Sequence, residues 1–162
     1  MKIRLLILIF IFSALINQCT SKNVQQRIYD YEVIFTAQQI HNLDSLYQDH
    51  EKKTTNQFAL ITTPNYGQDT SIESYALHIF NRLGIGRKDI NNGVLIVLSK
   101  SNRQVRISTG FGTEKVLTNL YAKGIIDSIM IPEFKNDRYY EGILRGSKAI
   151  ISFLERPENR IK

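Results

Sequence analysis

The chain has a single cysteine in 162 residues, and that scarcity excludes two classes of architecture at once. One thiol cannot close an intramolecular disulfide, so the fold rests on packing alone, and a thiolate zinc site is ruled out. Histidine is nearly as scarce. His41, His50 and His78 have no metal-ligand spacing and fall on predicted helices, where surface or hydrogen-bonded positions are their ordinary use. No serine stands in a nucleophile elbow, because Gly146-Ser147 lacks both the glycine pattern and a strand before it. Internal repeats and low-complexity segments are absent, and no Lys/Arg run is interleaved with aromatics, so nucleic-acid binding has no support.

The composition is that of an ordinary globular domain, with 43% apolar and 22% charged residues and room for one core. The N-terminus departs from this average. Met1-Lys2-Ile3-Arg4 is basic, and Leu5 to Ile16 is apolar except for Ser13. Twelve such residues are too few to cross a bilayer comfortably, so the pattern predicts an export signal over residues 1–19. Cys19 lies just beyond the apolar run, where a bacterial lipoprotein is cleaved and acylated. The residues before it, Asn17 and Gln18, are not the small ones such signals prefer. Ordinary cleavage after Cys19-Thr20-Ser21 is the competing reading. With the anchor taken, the protein is placed on the periplasmic face of the cell envelope, held to the membrane by its lipid and working beside an envelope protein partner.

Without Lys2 and Arg4 the formal charge falls from +6 to +4. Residues 22–85 carry five Lys/Arg against seven Asp/Glu, whereas residues 86–162 carry fourteen against eight. That excess of six could draw anionic lipid or phosphate, although solvated helix faces are the plainer account.

Residues 20–28 are polar and aperiodic and predict a tether, followed by one domain over 29–155 and a tail over 156–162. Thr36, Gln39, Phe35 and Ile40 spell a capping box with a hydrophobic staple, which starts a helix running to about His50. Gln57 to Thr63 reads as a strand ended by Pro64 and Gly67. Ile72, Tyr75, Ala76, Ile79, Phe80 and Leu83 recur at helical spacing. Strand, helix and strand over 57–98 form a crossover unit with parallel strands. Val94 to Leu98 and Val105 to Thr109, joined by the polar stretch 99–103, then form an antiparallel hairpin. Glu114 to Met130 predicts a helix stopped by Ile131-Pro132. A last helix over Arg138 to Leu154 stacks Tyr140, Ile143, Leu144, Ser147, Ile150, Ile151 and Leu154 on one side. The fold class is α/β: a small mixed sheet, made of a crossover unit and a hairpin, between helices.

In an antiparallel pair the start of one strand lies beside the end of the other. The segments Asp89-Ile90-Asn91-Asn92-Gly93 and Gly110-Phe111-Gly112-Thr113-Glu114 therefore meet at one sheet edge, the candidate site. Gly110-Phe111-Gly112 is not a dinucleotide loop, since the third glycine would fall at Lys115. Gly84-Ile85-Gly86 fails likewise, with Asp89 in that place. Asp89, Asn91, Asn92, Glu114 and Asn119 instead offer hard oxygen donors suited to Ca²⁺ or Mg²⁺. The plainer alternative is that they shape turns and cap helices.

From Asp30 to Phe153 the chain resembles the TPM domain family. The resemblance is carried by Asp30 with Val33 to Gln39, Ile72-Glu73-Ser74-Tyr75-Ala76, Gly84-Ile85-Gly86 and Asn92-Gly93-Val94-Leu95-Ile96-Val97. Arg103 with Val105-Arg106-Ile107, Gly110-Phe111-Gly112-Thr113-Glu114, Pro132-Glu133-Phe134-Lys135 and Tyr140-Glu141-Gly142-Ile143 complete it. The resemblance implies an α/β/α sandwich and a divalent-cation site at the same edge, with Asp30 added to its ligands. Acid phosphatase activity is attributed to some members, while others look like assembly or accessory factors. Where the family usually has aspartates, this chain has Asn91 and Asn119, two negative charges fewer for a cation. Two functions follow as expectations. One is an exported, anchored interaction module with a weak Ca²⁺ or Mg²⁺ site. The other is a metal-assisted phosphomonoesterase in which Arg103 or Arg106 holds phosphate and Asp30 or Glu114 activates water.

Overall fold

The computed structural model describes residues 26–161, so the leader, Cys19 and residues 20–25 lie outside the described part. Four strands form one sheet in the order β1-β2-β3-β4: β1 Ile28–Asp30, β2 Gln57–Thr62, β3 Gly93–Ser99 and β4 Gln104–Thr109. The first three are parallel, and β4 returns antiparallel to β3 with Ile96 opposite Ile107. The sheet is therefore mixed, as the crossover and hairpin patterns predict.

β1 takes in the last residue of the expected tether. Ile28 pairs with Leu60 and Asp30 with Thr62, so the strand begins one residue before the expected domain start at residue 29. Three residues carry too little periodicity to announce a strand. What fixes this one is the open edge of β2.

Both sheet faces are covered, which is why β3 is apolar and buried along its length instead of alternating. On one face Phe58, Leu60, Val94, Ile96 and Ile107 pack beneath α1 (Ala37–Thr54) and α6 (Tyr139–Leu154). On the other, Ala59, Ile61, Leu95 and Val97 meet Ile72, Ala76 and Ile79 of α2 (Ile72–Leu83). Each fully buried aliphatic side chain contributes roughly 1.5–3 kcal/mol by leaving water. Both clusters are built from described residues on either side of the sheet, so the domain carries a core of its own.

The helix starts form as their caps dictate. Thr36 Oγ1 accepts from Gln39 N (3.2 Å) and Gln39 Oε1 from Thr36 N (2.9 Å). α1 runs past His50 to Thr54, where Thr55 closes it in a left-handed conformation (φ 66°) without a glycine. On α6, Ser147 answers the buried hydroxyl of Tyr47 at 2.8 Å.

The segment after β4 differs from the single helix expected. A turn, α3 (Phe111–Glu114), precedes α4 (Asn119–Ile125), which widens into a π-turn at Ile126–Met130 and continues through Pro132 as α5 (Ile131–Phe134). Pro132 does not stop the chain because the π-turn has already displaced the ladder, with Ile131 N reaching back to the Ile126 carbonyl. The stop comes at Asp137, at φ 57°. There Glu133 gathers Arg138 (2.6 Å) and Arg145. Of the supposed tail, Ile161 packs against the core.

His50 gives the fold a pH dependence. Its buried ring stands edge-on to Phe58 and bonds Glu155 Oε1 (3.1 Å) and Thr54 Oγ1 (3.2 Å). Burial holds the imidazole below its ordinary value of 6.5, against the opposing pull of Glu155. The unfolded chain then binds a proton near pH 6.5 that the folded chain refuses, so this contribution is complete above pH 6.5 and is lost as pH falls below it. The melting temperature should drop by a few degrees between about pH 7.5 and 5.5, and by less in His50→Gln. Equal slopes in the two proteins would sink the assignment. Asp89 and Glu133, both held low by arginines, act only below the carboxylate range and do not confuse this window.

Candidate functional site

The two predicted segments do meet. Gly110 N donates to Gly93 O at 3.0 Å, and Gly112 N donates to Asn91 O at 3.1 Å. A Cβ on Gly110 would overlap the Asn91 carbonyl, and one on Gly112 the Ile90 carbonyl, so the glycines here serve close backbone approach. Asn91 turns the chain at φ 49°. A groove of about 380 Å³ runs along the edge between Asp89, Asn91, Phe111, Lys115 and Arg160.

The predicted donors are positioned for other work. Asn92 is buried, its Oδ1 accepting from Arg87 N (2.9 Å) and its Nδ2 donating to Thr55 O (2.8 Å) and Asn56 Oδ1 (3.1 Å). It ties the end of α1 to the start of β3. Asp89 is clamped by Arg87, whose Nε and Nη2 reach its two oxygens at 3.1 and 2.7 Å and hold the carboxyl below its usual range. Glu114 Oε1 accepts from Asn119 Nδ2 (3.0 Å), joining the turn α3 to the start of α4.

Asp30 belongs to the other end of the sheet. It pairs with Thr62, five residues along β2 from Gln57, which is itself opposite Gly93. At about 3.3 Å per residue the two ends are separated by roughly 17 Å. Its carboxylate accepts from Thr62 Oγ1 (2.5 Å) and Phe35 N (2.9 Å) and sets the turn into α1.

Arg103 sits in the hairpin turn at that same far end (φ 53°). Arg106 lies opposite Val97 on the face beneath α2, its Nε buried and without a hydrogen-bond partner among the described residues. Neither arginine joins Glu114.

For a divalent cation this arrangement offers only part of a coordination shell. Ca²⁺ takes six to eight oxygens and Mg²⁺ an octahedron of six. Among the described residues, no three His, Cys, Asp or Glu side chains converge on one point. The orphaned polar atom at this edge is Thr113 Oγ1, a single neutral oxygen. Asn92 is spent, and Asp89 is neutralised by its neighbour.

Sequence reasoning missed Arg87 as the clamp and Thr55 and Asn56 as the partners of Asn92. The spacing Arg87-Lys88-Asp89 was the available signal for the first. Nothing local pointed to the second, because those contacts span more than thirty residues of chain. It also missed how far Phe111 and Leu120 stand out, at 80% and 81% exposed.

Comparison with known proteins agrees with the fold. The family model described as the TPM domain matches residues 28–153. The N-terminal domain of a protein from P. gingivalis is 27% identical at a TM-score of 0.76, covering 85% of this chain and 87% of that one. The BA42 protein of the psychrophilic bacterium Bizionia argentinensis is 18% identical at 0.66, covering 76% and 83%. The N-terminal domain of cg2496 from Corynebacterium glutamicum is 12% identical at 0.63, covering 81% of each. No curated protein matches the chain.

Proposed function

The chain belongs to the TPM domain family, and from that premise we propose that it is an exported, lipid-anchored interaction module of the cell envelope, working as an accessory to a protein partner. The observation that carries this reading is the edge itself: Asp89, Asn92 and Glu114 each hold a partner within the fold, while Phe111 and Leu120 are left in water. Large apolar side chains exposed beside polar loops suit association with a surface, the membrane that the anchor holds close included, rather than chemistry. Export and attachment at Cys19 rest on the leader, which is read from sequence.

Ca²⁺ or Mg²⁺ enters as a weak ligand on the Glu114 and Asn119 side, with Asp89 contributing only when Arg87 releases it. The phosphatase reading has no observation of its own. It needs an arginine beside Asp30 or Glu114, yet Asp30 is consumed by a turn and the two arginines lie away from Glu114.

Thermal unfolding of the fragment 22–162, with EDTA and then with millimolar Ca²⁺ or Mg²⁺, tests the proposal beside Glu114→Gln. A site with millimolar dissociation constant adds only about 0.5–1.5 kcal/mol, so a rise of a few degrees at most is expected, absent in the variant. Turnover of p-nitrophenyl phosphate should be nil. Metal-dependent turnover abolished by Glu114→Gln would replace the module with the enzyme.

A further inference from the structure

We infer that the end of the domain carrying Phe111, Leu120 and Lys115 lies directly on an anionic bilayer, so that the anchored domain has a fixed orientation on its membrane. This deepens the anchored reading above and rests on it.

The first argument is where the described chain begins. Arg27 O accepts from Leu60 N, and Gln26 lines a small cleft with Gln57, Leu83 and Ile85. The tether therefore enters at the sheet end where β2 and β3 start. Seven steps separate Cys19 from Gln26, a reach of at most about 25 Å. A lipid on Cys19 holds this end close to the headgroups, with the opposite end, at Asp30 and Asn102, facing away.

The second argument is what that end exposes. α3 starts where β4 ends, and α4 starts beside it through the Glu114–Asn119 bond, so Phe111 and Leu120 project from adjoining turns. Tyr121, in the same turn as Leu120, is stacked on Phe153 near the end of α6, with ring centroids 4.1 Å apart, and fixes α4 there.

Charge is the third argument. Arg82, Lys88, Lys115, Arg156 and Arg160 all lie at this end and form no ion pair among the described residues. Lys115 and Arg160 line one groove with Phe111. The facing acids are fewer: Asp89 is paired with Arg87 and Glu155 with His50 and Lys53, which leaves Glu114 and Glu158. Apolar side chains ringed by cations are what an anionic headgroup layer accepts, the apolar groups entering its boundary and the cations meeting phosphate.

The fragment 22–162 lacks Cys19, so its behaviour on vesicles is independent of the anchor. It should co-sediment with vesicles of phosphatidylcholine containing one-third phosphatidylglycerol and not with phosphatidylcholine alone. Binding should fall with salt and drop at least about fivefold in both Phe111→Ser/Leu120→Ser and Lys115→Glu. Val33→Ser removes an equally exposed apolar side chain (83%) at the opposite end and should change nothing. No retention on anionic vesicles, equal retention on neutral ones, or loss in Val33→Ser instead would each overturn the orientation. Release of the full chain from membranes by Cys19→Ser tests the anchor separately.

Discussion

Asn92→Asp should destabilise the domain by about 3 kcal/mol or more, seen as a lower denaturant midpoint with little change in slope. Oδ1 keeps its bond from Arg87 N, but the donor that served Thr55 O and Asn56 Oδ1 becomes an anionic oxygen facing two other oxygens. A buried charge without a donor must be protonated or expelled, and either outcome loosens the joint between α1 and β3. Asn92→Ala should cost less, because it orphans the partners without adding a charge. The variant also separates a structural residue from a cation ligand. If Asn92 held Ca²⁺, the aspartate would bind the ion more tightly and millimolar Ca²⁺ would restore stability. The expected result is no rescue, and a calcium-dependent recovery would overturn the structural role given to Asn92.

The contrast shows which parts of the molecule were legible. The antiparallel hairpin, the helix start at Thr36 and the meeting of residues 89–93 with 110–114 follow from two apolar runs around a polar turn, a capping box and the antiparallel rule, which are local properties of sequence. Ile72 through Leu83 could be read because a helix over a sheet must repeat its apolar face. β1 was illegible because three residues gain their strand identity only from the open edge of β2. Pro132 misled because its effect depends on a π-turn six residues earlier, which no local pattern marks. At the candidate site the residue types were legible in the same way and their partners were not. Asp89, Asn92 and Glu114 were the right residue types at the right edge, but a ligand set is defined by free lone pairs. Arg87 engages Asp89 through its side chain and Asn92 Oδ1 through its backbone N–H, and Asn119 engages Glu114 Oε1. Asp30 shares a fold with them and not an edge, since parallel pairing to β2 carries it to the far end of the sheet.

Gly112→Ala and Gly124→Ala apply one chemical change to two glycines and should move stability in opposite directions. At Gly112 the added carbon would overlap the Ile90 carbonyl and lie 3.2 Å from that of Asn91. Both obstacles are backbone of a loop pinned on one side by Asn92, so relief requires separating the two segments and breaking the Gly112 N bond to Asn91 O. A loss of about 2–4 kcal/mol is expected, at or above the usual cost of overpacking because no flexible side chain can yield. At Gly124, within α4, nothing lies within 4 Å of the new carbon, and alanine should add about 0.5–1 kcal/mol through the unfolded state and helix propensity. Urea titrations of the two variants and the parent measure both. The sign of the Gly112 result bears on function, because a Gly-x-Gly turn can serve either to admit a ligand to the backbone or to admit a second stretch of backbone. A large loss assigns Gly112 to the second use and keeps the edge a closed joint whose outward face is Phe111. A neutral result would mean the segments stand apart in solution, with the Ile90 and Asn91 carbonyls free to take a cation after all.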